Sequence, residues 1–186
     1  FMLVIKRILL IIIIFSFPTE IRADSPNQIK LKLFFKDLKE VKSRYVAKSL
    51  ENKIWDIWHK HPSDNLLTDR LNFATQLMQQ GNYQYALHIF TSIINKDPKW
   101  SEAWNKRATL LYLMEDYDRS LKDIKHVLEL EPRHFGALSG RAQIYIKLEN
   151  YEKAIMDLNQ VKKIHPTSIS NEIIPELKNL INRLNI

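Results

Sequence analysis

Residues able to do chemistry are few in this sequence and poorly spaced for it. His59 and His61, in "HKH", stand two apart, and on a helix that spacing sends them to different sides. Helical metal-binding pairs sit three or four apart, as in HExxH. His126 has no ligand-type partner nearby in sequence, and Glu129 and Glu131 read as the outward positions of a solvated face. The chain has no cysteine, which excludes disulfides, thiolate nucleophiles and cysteine-ligated metals. Three glycines, Gly81, Gly136 and Gly140, are too few for a phosphate-cradling loop. The expectation is therefore a protein without catalytic residues, bound metal or cofactor.

The elements around these residues read as helices. Among 186 residues, 45% are hydrophobic and 26% charged, but only three are glycine and seven proline. An all-β chain needs a turn residue every eight to twelve positions or so. The formal charge is +7, from 28 basic and 21 acidic residues. Acid and base alternate rather than forming blocks, which fits a solvated surface and argues against nucleic acid.

Residues 2–23 have the parts of an export signal. Lys6 and Arg7 precede an apolar run from Ile8 to Phe17, Pro18 breaks it, and Ala23 stands before Asp24. Ten apolar residues span about 15 Å as helix, half the hydrocarbon core of a bilayer. Cleavage after Ala23 and a periplasmic location are expected, with 25 basic and 20 acidic residues remaining. A retained leader is the alternative, and would make the chain membrane-anchored; membrane contact is expected only in that case.

Residues 67–100, 101–134 and 135–168 align as three blocks of 34 without a gap. The eighth position holds Ala74, Ala108 and Ala142, the twentieth Ala86, Ser120 and Ala154. Tyr83, Tyr117 and Tyr151 share the seventeenth, and Pro98, Pro132 and Pro166 the thirty-second. Small residues at two positions let antiparallel helices approach, and proline ends the second helix. Asn82, Asp116 and Asn150 suit its N-cap. Each block is a helix–turn–helix that must stack on its neighbours to bury its apolar face. With Trp104, Ala108, Leu111, Ser120, Ile124 and Pro132 in the middle block, residues 67–168 resemble the tetratricopeptide repeat family. The run "AWNKRA…LEPRHFGAL" is also similar to exported repeat proteins of alphaproteobacteria. The resemblance implies an all-α helical solenoid that binds protein segments.

The flanks read as caps. Leu31, Phe34, Phe35, Leu38 and Val41 make one stripe; after Ser43, Val46, Leu50, Ile54, Ile57 and Trp58 make another. Residues 24–66 thus form a helical hairpin and linker expected to cover the first repeat. Its Trp55 and Trp58 have two readings, as core or as a second partner site. Residues 169–186 place Ile173, Ile174, Leu177, Leu180, Ile181 and Leu184 at helical spacing, a closing helix.

In this family the first helix of each repeat lines a concave groove where ligands lie. The resemblance puts Thr75, Asn105, Thr109, Tyr112, Gly136, Ser139, Gly140 and Gln143 there as candidate protein-binding residues. Gly136 and Gly140 share a helical face, and two readings of them stand: a notch for a bound segment, or close packing between helices. The carboxylate clamp of the family's cochaperone domains is broken here. Its places hold Leu71, Thr75, Lys106, Gly136 and Gly140, of which only Lys106 is cationic. A peptide or partner helix is the expected ligand, and oligomerisation is not required.

Overall fold

The computed structural model describes residues 25–184, so the leader lies outside the described residues. These residues are helical throughout, with no strand among them. The helices are α1 (Pro26–Glu40), α2 (Arg44–His59), α3 (Asn65–Gln79), α4 (Tyr83–Lys96) and α5 (Ser101–Leu113). There follow α6 (Tyr117–Leu130), α7 (Phe135–Lys147), α8 (Tyr151–Ile164), a 3₁₀ turn (Ile169–Ile173) and α9 (Ile174–Leu184).

The three repeats are α3–α4, α5–α6 and α7–α8, each packed on the next through α4–α5 and α6–α7. The small residues sit where the paired helices touch: Ala74, Ala86, Ala108, Ser120, Ala142 and Ala154 are all buried. Serine is admitted because Ser120 Oγ donates to the Ala108 carbonyl at 2.8 Å, so its buried hydroxyl is satisfied. The last residue before each shared proline is extended and ends the second helix, its N–H still bonded to the residue four back.

The turn inside each repeat closes as a Schellman motif. Asn82 N–H donates to the Leu77 carbonyl, Asp116 to Leu111 and Asn150 to Tyr145. This requires a left-handed residue at the fifteenth position, supplied by Gly81 (φ 78°), Glu115 (φ 59°) and Glu149 (φ 56°). The two glutamates hold a conformation that disfavours a Cβ. Glu115→Gly is therefore expected to raise stability by about 0.5–1 kcal/mol, read by urea denaturation, and a loss would refute strain at this turn. Asp116 and Asn150 accept from Arg119 N–H and Lys153 N–H and cap their helices. Asn82 makes no such bond, contrary to the sequence expectation.

One feature recurs that pattern reading passed over. Arg107 donates twice to Asp123, at 2.7 and 2.8 Å, and Arg141 twice to Asp157, both at 2.7 Å. Both pairs tie first to second helix at the seventh and twenty-third positions, and Arg107 also reaches Thr91 of the preceding repeat. The first repeat has Phe73 and Ile89 there instead. Phe73 is 48% exposed, edge-on to Tyr85.

That exposure reflects the main difference from expectation: the N-terminal hairpin does not cover the first repeat. It packs on α8 through α1 and on α5 through α2. Its Leu31, Phe35, Leu38, Ala47, Leu50, Ile54 and Trp58 share one core with Phe135, Leu138 and Val161 of the third repeat. The physical reason is an aromatic seat made by the repeat loops. Trp58 stacks on His134 at 4.1 Å, and its carbonyl accepts from Trp100 Nε1 at 2.9 Å. The outer face of α3 offers no comparable cluster. At the other end, α9 buries Ile174 and Leu177 against α8, while Ile173 and Leu184 remain exposed.

Candidate functional site

The groove is built by α3, α5 and α7, but α2 lies across their N-terminal halves. His59 at the end of α2 meets Asn72 of α3 at 2.6 Å. Asn52, Trp55 and Asp56 share a cavity with Glu102 and Lys106 of α5. Further along, Trp55 sits edge-on to Phe135 at 5.4 Å, and Arg44 pairs with Glu172 in the 3₁₀ turn. The chain's own helix thus fills part of the surface that the resemblance gives to ligands. Both tryptophans read as core packing here: Trp58 is buried and Trp55 half-buried.

The seam beneath α2 carries three histidine–carboxylate pairs. His61 Nε2 lies 2.8 Å from Asp97, and His165 Nε2 lies 3.6 Å from Glu51. The third is fully buried: His134 Nε2 lies 3.3 Å from Glu102, each 0% exposed. His134 Nδ1 accepts the Ala137 N–H at 3.1 Å and so caps α7. With Nδ1 an acceptor, the donor to Glu102 is Nε2. Burial pushes the Glu102 carboxyl up, but hydrogen bonds from His134 and Asn105 and the charges of Lys106 and His134 outweigh it and hold it below its ordinary value. Glu51 is drawn down to about 2, chiefly by His165, against burial and with help from Lys48 and Trp55. Each acid has a structural partner, and among the described residues no group of histidines and acids is arranged to hold a metal ion.

Glu131, read as solvated from the sequence, is buried where α6 ends. Its carboxylate takes Arg133 Nε at 2.7 Å and Nη2 at 2.8 Å, and Arg133 lies over the Phe35 ring of α1. The hairpin closes over this loop, which a one-dimensional pattern does not reveal. Glu129 stays exposed but lies 3.4 Å from His126 Nδ1, so His126 does have an acidic partner three residues away, contrary to the sequence expectation.

The eight candidate groove residues divide. Asn105, Thr109, Tyr112, Gly136, Gly140 and Gln143 line one notch of about 60 Å³. Ser139 faces away from it: its hydroxyl meets Ser170 at 3.2 Å under the 3₁₀ turn. Thr75 donates to the Leu71 carbonyl and lines no cavity with the others. Thr109 likewise donates to the Asn105 carbonyl, and Asn105 Nδ2 to Glu102. A shallow cavity of about 260 Å³ continues from Gln143 past Ser139 and Ile146 to Ile169 and Ile173.

The two glycines separate by role. A Cβ on Gly136 would stand 2.5 Å from Trp55 Cη2, so this glycine exists to admit the chain's own indole. Of the two readings left open for the glycines, close packing is the one this contact supports for Gly136, although it also borders the notch. At Gly140, its own helix backbone aside, none of the described residues lies within 4 Å of where a Cβ would be. Space is left open there, between Tyr112 and Gln143.

Comparison with known proteins agrees with the repeat architecture. The family described as anaphase-promoting complex, cyclosome, subunit 3 matches residues 79–161. A TPR repeat-containing protein of Rhizobium etli is 35% identical over 101 residues, 53% of this chain. The chain spans about half the length of that curated relative, 48%. The first TPR of Spaghetti (RPAP3), bound to an HSP90 peptide, superposes with a TM-score of 0.59 at 17% identity, over 62% of this chain and 93% of that one. The Sgt2 TPR domain of Aspergillus fumigatus gives 0.61 at 14% identity, over 66% and 83%. The Yersinia enterocolitica type III secretion chaperone SycD, with a peptide of the translocator YopD, gives 0.56 at 13% identity, over 68% and 97%. At these identities the likeness is one of fold.

Proposed function

We propose that this chain is a tetratricopeptide-repeat protein and a non-catalytic interaction module, holding an extended segment of a partner protein in the open half of its groove. The observation that carries this reading is the space above Gly140, ringed by Asn105, Thr109, Tyr112 and Gln143. A glycine inside an exposed helix face costs about 1 kcal/mol relative to alanine. Among the described residues no neighbour accounts for Gly140, as Trp55 accounts for Gly136. The rim is neutral and hydrogen-bonding, which suits a peptide backbone. Structures of the same fold carry peptides, among them the HSP90 peptide SRMEEVD and a YopD peptide. An acidic chaperone tail fits poorly, because Lys106, the cation left at the clamp positions, already faces Glu102 at 3.3 Å. The basic pair and apolar run of residues 2–23 support work in the periplasm, in assembly of the envelope.

A photocrosslinking residue at Gln143, matched by one at exposed Lys122 of α6, tests the site inside cells. Capture of one protein from Gln143 alone, lost on adding Gly140→Leu with no fall in melting temperature, is the expected result. Identical products from both probes, or capture indifferent to Gly140→Leu, would refute the groove as the docking site. Ser139 is a poorer probe position, because Ser170 already engages its hydroxyl.

A further inference from the structure

We propose that the outer face of α1 is a docking surface for an anionic phospholipid membrane. On its inner side α1 buries Leu31, Phe35 and Leu38 in the shared core. On the opposite side Ile29 and Leu33, one turn apart, are 50% and 56% exposed. Lys30, Lys36 and Lys39 stand exposed around them. The outer side thus joins two aliphatic residues to bordering lysines in its N-terminal half, while exposed Asp37 and Glu40 lie on it toward the C-terminal end.

Charge is concentrated on the hairpin to which α1 belongs, α1 itself holding four lysines and two acids. Residues 25–60 hold nine basic and four acidic side chains, a net +5, whereas residues 61–184 hold 16 and 15, a net +1. Nearly all the net charge of the described chain therefore sits on the hairpin. Such a charge distribution has no use in the groove, where Lys106 is paired internally. It suits an anionic lipid surface, where each lysine held close strengthens binding about fivefold.

The position of α1 along the chain favours lipid over an acidic protein. Pro18, which ends the apolar run Ile8–Phe17, precedes Pro26 by eight residues. Extended chain of that length reaches at most about 28 Å, so a leader retained in the bilayer, the alternative to cleavage after Ala23, would hold α1 at the bilayer surface. Two exposed aliphatic side chains are few beside the twenty or so residues a stable protein interface engages on each side. They are enough for shallow insertion at the headgroup boundary, where binding combines apolar burial with attraction to anionic lipid. Among the described residues no helix is long and apolar enough to cross a membrane, so the contact is peripheral. This inference stands apart from the groove and survives if the groove binds nothing.

The test is co-sedimentation of the full chain with phosphatidylcholine vesicles, and with vesicles containing roughly one-third phosphatidylglycerol. The leader's own Lys6, Arg7 and Arg22 also favour anionic lipid, so the preference counted is the excess over that of a peptide of residues 2–23 alone. The wild type is expected to prefer them by about tenfold or more, falling with added salt. Ile29→Asp with Leu33→Asp, and separately Lys30→Glu with Lys36→Glu, should each abolish the preference while leaving the melting temperature unchanged. Equal partition of the wild type into both vesicles overturns the proposal. A preference that survives both double variants overturns it too.

Discussion

Replacing His134 by alanine is expected to cost about 3–5 kcal/mol, because it leaves the charge of Glu102 buried without its main partner. Glu102 is wholly enclosed and keeps a lowered pKa only through His134, Lys106 and Asn105. The loss should exceed what packing alone predicts, since His134 also caps α7 through Ala137 N–H and stacks on Trp58. The double change Glu102→Leu with His134→Leu should be milder than His134→Ala, because it removes the stranded charge along with its partner. Urea denaturation of the three proteins measures this, and a double variant less stable than the single one would refute a stranded charge as the cause.

The same pairs give a pH dependence with a definite sign. Glu51 and Glu102 both have folded pKa values below the ordinary 4.5, Glu51 at about 2. Their contribution to stability is complete above pH 4.5 and is lost as pH falls below it, for Glu51 toward about 2. Glu51 belongs to α2 and Glu102 lies beneath it, so acid should loosen the hairpin seam first. Tryptophan fluorescence, from Trp55, Trp58 and Trp100 at this seam, should change at higher pH than helical circular dichroism.

The paired glycines provide the other large effect. At an ordinary helix position Gly→Ala stabilises by up to about 1 kcal/mol, and Gly140→Ala should do so because its Cβ would enter open space. Gly136→Ala should reverse the sign and destabilise by about 1–3 kcal/mol, the usual range for overpacking. Its Cβ would stand 2.5 Å and 2.8 Å from two atoms of the Trp55 ring. That ring is flanked by Trp58, His134 and Phe135 at centroid distances of 5.3, 5.3 and 5.4 Å, so moving it disturbs three aromatic contacts. Trp55→Leu should make the protein tolerant of Gly136→Ala. Equal effects of alanine at the two glycines, measured as melting temperatures, would show that Trp55 does not press on Gly136.

The repeat architecture was legible in one dimension because its causes are local and periodic. Ala74, Ala108 and Ala142 recur every 34 residues since each repeat solves the same packing problem, and the prolines since each second helix must stop at the same length. The caps at Ser43, Asp116 and Asn150 are likewise legible, being contacts over three residues. The groove positions follow from helical spacing once the repeats are aligned. The Arg–Asp pairs were legible too, as Arg107 with Arg141 and Asp123 with Asp157, but only to a search for charged as well as apolar periodicity.

The seat of the hairpin was decided by tertiary structure. An amphipathic stripe such as Leu50, Ile54 and Trp58 states that a face must be buried, but not against which partner, since apolar burial is non-directional. Only the folded repeats bring Trp100, His134, Phe135 and His165 together into the surface that receives it. That assembly gives Gly136 to Trp55, distant in sequence, and turns Glu131 from a surface residue into a buried one. It also leaves Gly140 as the open point of the groove. Spacing placed the two glycines on one helical face; their different neighbours arise from a contact between segments that no local pattern connects.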